Sequence, residues 1–185
     1  MVNKALAVLL LLGVVFALPA SAQDTIASFK GGIGVVPVSS GQGTAATATI
    51  VNRNIVRGVQ PAGQPWPIAD LRAEVKDDGR ISVRGKGLIL GGGNSIGRAT
   101  GQKVIATLIC ETAPSSFTEY STTAAGVPLE PNGDFRIDDT LSLSTTPLVC
   151  PSPVLLIRNA ANLGWFAAGI VDFGDDDDDD KDEED

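Results

Sequence analysis

Two stretches of alternating residues, each joined to a partner by a three-residue turn, constrain this chain more than any other feature. Leu71-Arg72-Ala73-Glu74-Val75-Lys76 and Arg80-Ile81-Ser82-Val83-Arg84 alternate apolar and polar side chains, the period of a half-buried strand. Between them lies Asp77-Asp78-Gly79. A two-residue loop would set Val75 against Ser82. A three-residue loop sets Val75 against Ile81 and Ala73 against Val83, which keeps one face apolar. That loop is a type I turn closed by a left-handed Gly79. It also places Lys76 opposite Arg80 and Arg72 opposite Arg84, a like-charge arrangement that only a solvated face tolerates.

Val127–Glu130 and Asp134–Ile137 flank Pro131-Asn132-Gly133 in the same way. Proline suits the first central position of such a turn and Gly133 the left-handed one. A three-residue loop here pairs Leu129 with Phe135 and Val127 with Ile137. Further strands are expected at Gly32–Val38, Thr44–Val59, Lys103–Thr112, Leu141–Ser144, Val154–Arg158 and Trp165–Val171. Ala113–Ala125 reads as a long surface loop. Helical periodicity is lacking, and short strands without helices between them indicate an antiparallel β-sandwich, with a barrel as the alternative. With 43% apolar residues in the chain as a whole there is enough material for a core.

The two ends differ from this body. Met1–Ala22 carries Lys4, the apolar run Ala5–Leu18, Pro19 and Ala20-Ser21-Ala22. That is the pattern of a secretory signal peptide cleaved before Gln23. The expected location is secreted or periplasmic, with no membrane association after cleavage. Asp175–Asp185 holds ten acids and one lysine, so it is expected to be a disordered, solvated tail. The division is then 1–22 signal peptide, 23–174 domain and 175–185 tail. The six aspartates Asp175, Asp176, Asp177, Asp178, Asp179 and Asp180 are weak candidates for divalent cations or for a basic partner, since hard cations favour carboxylate oxygens.

The body itself has twelve basic and twelve acidic side chains. It has no overall field for nucleic acid. Two cysteines, Cys110 and Cys150, are expected to form a disulfide in an oxidising compartment. Cys110 shares an inward face with Val104, Ala106 and Leu108 at period two.

Chemistry is narrowed chiefly by what is missing. The chain has no histidine, so no Ser-His-Asp or Cys-His nucleophile can be assembled. Leu88–Thr100 (LILGGGNSIGRAT) resembles the cofactor loop of short-chain dehydrogenases. Gly101 and an alternating strand follow where that loop would open a helix, and the only tyrosine, Tyr120, has Ala124 four residues on. The segment is therefore read as a glycine-rich connection, and no cofactor is expected. Trp66, Tyr120 and Trp165 are aromatics that either pack or present a platform to a ligand such as sugar, Trp66 and Tyr120 being the better placed. Asp138 and Asp139 are adjacent on a strand and point to opposite faces, so they do not make a simple glycosidase pair. The function expected is an exported structural or binding module. The alternative is a carboxylate-based glycan hydrolase or carbohydrate-binding module, marked by a crevice with two acids, one of raised pKa.

Overall fold

The computed structural model describes residues 23–42 and 50–174. The signal-peptide, tail and Asp175–Asp180 expectations lie outside those residues. Eleven strands follow in order: β1 (Thr25–Gly34), β2 (Val38–Gln42), β3 (Ile50–Arg53), β4 (Asp70–Lys76), β5 (Arg80–Lys86), β6 (Lys103–Ala113), β7 (Ser116–Ser121), β8 (Val127–Pro128), β9 (Phe135–Thr140), β10 (Val154–Asn159) and β11 (Trp165–Val171). No α-helix occurs among the described residues.

Nine strands form one antiparallel sheet in the order β7-β6-β10-β11-β1-β4-β5-β9, with β8 paired to β6, while β2 and β3 form a separate hairpin. The sheet curls into a half-barrel, the barrel form of the expected all-β architecture. Its two ends come together without a ladder. Ser142 N donates to Ser121 O at 3.0 Å, and Thr123 N donates to the Asp139 carboxylate at 2.8 Å. The inner face holds a continuous core that includes Leu71, Val75, Val83, Leu108, Leu155 and Ile157.

The β4–β5 hairpin has the register derived from alternation, Val75 opposite Ile81 and Ala73 opposite Val83. Gly79 closes it at a φ of 87°. The second turn also forms, with Gly133 at φ 86°, and Gly133 N donates to Glu130 O at 2.8 Å. The two turns share a local device: Asp78 Oδ1 accepts from Arg80 N at 3.1 Å, and Asn132 Oδ1 accepts from Asp134 N at 3.0 Å.

The strand arms around the second turn do not pair as expected. Val127–Pro128 joins Lys103–Val104 of β6, and β9 joins β5. Pro128 has no N–H to give a longer ladder, and the turn is held instead by Leu88, whose N–H donates to Gly133 O at 3.0 Å.

Three further expectations are corrected. Ser116–Ser121, read as part of a surface loop, is strand β7 along β6, with Tyr120 opposite Leu108 and Thr118 opposite Cys110. It is an edge strand, so its outer positions are polar and its alternation lacks an apolar run. Leu141–Ser144 is not a strand. Leu141 N bonds Gly79 O and Ser142 N bonds Ser121 O, so the segment stitches the sheet ends instead of extending a ladder. Of the described part of Thr44–Val59, only Ile50–Arg53 is a strand.

Cys110 and Cys150 form the expected disulfide, with Cα atoms 4.8 Å apart. Cys110 is fully buried on β6.

Candidate functional site: a charged sheet face

The outer face of β1, β4, β5 and β9 is built by the alternation itself. Inward positions carry Phe29, Leu71, Ala73, Val75, Ile81, Val83 and Ile137, all buried. Every second residue then points to water, and there the charges lie.

Register arranges them in rows across the strands. Lys30 lies opposite Arg72, Arg72 opposite Arg84, and Arg84 opposite Arg136. Four cations thus stand abreast on four adjacent strands. At the usual strand spacing of about 4.8 Å the row is roughly 14 Å long. The next row holds Ser28, Glu74, Ser82 and Asp138. Beyond it Thr25 faces Lys76, and Arg80 faces Thr140. With Asp70 opposite Lys86, the outward positions of these strands hold seven cations and three acids. A body that is neutral as a whole therefore concentrates positive charge on one face.

Four of these cations are paired: three along their own strands, and Arg80 with Asp78 of the adjoining turn at 2.8 Å. Arg72 lies 3.7 Å from Asp70. Lys76 bonds Glu74, and Arg136 bonds Asp138. These are exposed pairs, which contribute little to stability. Among the described residues, neither Lys30 nor Arg84 has an acid within ion-pair reach.

A shallow hollow of about 420 Å³ lies over this face, lined by Glu74, Lys76, Arg80, Ser82, Asp138 and Thr140 among others. Its carboxyls are held ionised. Hydrogen bonds from Lys76 and then Thr25 lower the pKa of Glu74. A hydrogen bond from Arg136, then one from Ser82, lowers that of Asp138. Asp139 is also lowered: partial burial pushes it up, but the Thr123 and Thr140 backbone N–H groups outweigh that. A glycan hydrolase needs one acid of raised pKa to protonate the leaving oxygen. The three acids at this hollow are shifted the opposite way, so none of them carries that mark.

The other singled-out residues are placed as follows. Trp66 is only 4% exposed and stacks on Phe166 with ring centroids 4.1 Å apart, the packing alternative of its two expected roles. Trp165 is buried, and its Nε1 donates to Asn54 O at 2.9 Å. Tyr120 is half-buried on β7 and packs against the core. Asp138 points to the outer face while Asp139 ties down Thr123 and Thr140, in keeping with their expected opposition. The Gly-rich segment Leu88–Thr100 contains no helix and closes on itself, with Leu90 N donating to Arg98 O at 3.0 Å and Gly97 N to Leu90 O at 2.8 Å.

Sequence reasoning reached the Arg72–Arg84 pair but not Lys30 or Arg136. The alternation Phe135-Arg136-Ile137 marks Arg136 as outward. What it lacks is the neighbour of β9, which is set by a contact fifty residues away. Comparison with protein-family models, with curated proteins and with solved structures finds no match for this chain.

Proposed function

We propose that the protein is an exported binding module that holds an acidic polysaccharide on the outer face of β1, β4, β5 and β9. The observation that carries this reading is the row Lys30–Arg72–Arg84–Arg136. Like charges directly opposite one another destabilise a sheet, so four abreast cost stability unless a polyanion neutralises them. Arginine is suited to that role because its planar fork meets a carboxylate with two parallel hydrogen bonds. The outward positions of the four strands hold no aromatic ring, so a single-stranded nucleic acid would lack the stacking platform it uses. Export rests on the signal-peptide pattern of Met1–Ala22, and the disulfide suits the oxidising compartment beyond it.

Titration calorimetry with an oligogalacturonate tests the reading. The protein is the mature full chain with Asp175–Asp180 changed to Asn, so that tail charge does not enter. Binding is expected at low salt and should weaken as salt rises. The added changes Arg72→Gln, Arg84→Gln and Arg136→Gln should abolish it. No binding, or binding that the three changes leave intact, would overturn the reading.

A further inference from the structure

The tail supplies a polyanion of the protein's own. We infer that residues 175–185 fold back over the outer face of β1, β4, β5 and β9 and occupy the Lys30–Arg72–Arg84–Arg136 row as a tethered competitor for the external ligand. The inference rests on the reading of that face as a polyanion site. It assigns the basic partner of the acidic segment to the same molecule.

Position comes first. Asp172 N donates to Ser28 O at 2.8 Å, and Val171 lies opposite Phe29. The chain therefore leaves the sheet beside β1, the strand that carries Lys30 at one end of the row. Phe173, at 92% exposed, already stands clear of the body. Reach follows. Eleven residues extend to at most about 36 Å, against roughly 14 Å from β1 to β9. The tail can cover the row with residues to spare.

Charge is complementary and local. Ten acids and one lysine face seven cations and three acids, while the body as a whole is neutral. No other part of the described surface is needed to draw the tail in. Because the tail is tethered, its effective concentration at the row is of millimolar order. A contact with a dissociation constant equal to that concentration would cover the row about half the time, and one about tenfold tighter roughly nine tenths of it. Apparent affinity for an external polyanion falls by the uncovered fraction, roughly two- to tenfold.

Two measurements on the mature full chain test this. In the first, a carbodiimide couples carboxylates to lysines in direct contact, and the cross-links are mapped by peptide mass spectrometry. Tail acids should couple to Lys30 within one molecule at low salt. The link should vanish in 1 M salt, where the Debye length is about 3 Å. Coupling to Lys103 as often as to Lys30, coupling only between molecules, or none would overturn the inference. In the second, oligogalacturonate affinity is compared between the native tail and the Asp175–Asp180→Asn tail. The neutralised tail should bind two- to tenfold more tightly, and equal affinities would overturn the competition. If neither chain binds the sugar while Lys30 still couples to the tail, the polysaccharide reading falls and the docked tail stands.

Discussion

The two halves of this sheet use the same strand geometry for opposite ends. In β4, β5 and β9 only the inward positions are buried, and the outward ones carry charge. In β6 and β10 both faces are buried: Val104 to Cys110 and Leu155 to Asn159 are each almost wholly covered. Part of that cover comes from the connection before β4, where Arg57 donates to Ile109 O at 2.8 Å and to Ser152 O at 2.6 Å. Its guanidinium also lies 4.7 Å from the centre of the Phe117 ring. The disulfide sits in the buried half as well, with Cys110 on β6. One half thus holds the molecule together, and the other is free to carry an arrangement of charge that does nothing for stability. A site can be kept on a costly face because the cohesion lies elsewhere in the same sheet.

The sharpest test of this division is removal of the staple. The cysteines are 40 residues apart, and closing a loop of that length is worth about 4 kcal/mol in the chain-entropy model. The double change Cys110→Ala, Cys150→Ala should lower the urea midpoint accordingly. A loss under about 1 kcal/mol would show that cohesion does not depend on that half. Next in size, Leu156→Ala on β10, at a fully buried position, should cost about 2–5 kcal/mol. Ser82→Ala, on the outer face of β5, should stay within about 0.5 kcal/mol. Similar costs for the two would break the comparison.

The turns give a finer contrast. Gly79 and Gly133 have nearly the same positive φ, which an alanine adopts only at a cost of about 1–2 kcal/mol. Their surroundings differ. A Cβ on Gly79 would meet the Leu143 side chain at 2.7 Å, which has room to move, whereas one on Gly133 would meet the Leu88 backbone at 2.4 Å. Gly133→Ala should therefore cost roughly 1 kcal/mol more than Gly79→Ala. Equal unfolding free energies would mean that the Leu88 contact yields easily.

The same contrast governs what the sequence disclosed. Alternation with one wet face fixes register by simple parity, so the β4–β5 pairing and Gly79 followed from residues alone. The inward Cys110 followed in the same way. Strand neighbours remote in the chain did not follow, because parity says which face a residue takes and not which strand lies beside it. Hence Arg136 was legible as outward but not as a member of one row with Arg72 and Arg84. Lys30 lies upstream of the strand expected at Gly32–Val38, on a part of β1 that the residues did not disclose. β7 was missed because an edge strand needs no apolar face of its own. Trp66 was open to two readings because a Pro-flanked tryptophan gives no sign of the Phe166 ring that covers it.

The smallest expected effect bears on the row directly. Arg84 stands between Arg72 and Arg136. Asp138, whose carboxylate also feels the charge of Arg84, is already engaged by Arg136 and Ser82. With the tail neutralised to Asn, Arg84→Gln should therefore stabilise the fold by about 0.2–1 kcal/mol at low salt, by removing two like-charge contacts. The gain should shrink toward zero in 1 M salt. Acid should enlarge it. The folded-state pKa of Asp138 is depressed, chiefly by the Arg136 hydrogen bond and then by that of Ser82. Its favourable contribution is thus complete above the unfolded value of about 3.9 and is lost as pH falls through the lower folded value. Below that window the cations repel without a counter-charge, and Arg84→Gln should stabilise more than it does at neutral pH. Urea unfolding of both chains across this range decides the matter. A variant less stable than its parent at low salt would mean that Arg84 is held by attraction, and that the row costs the fold nothing.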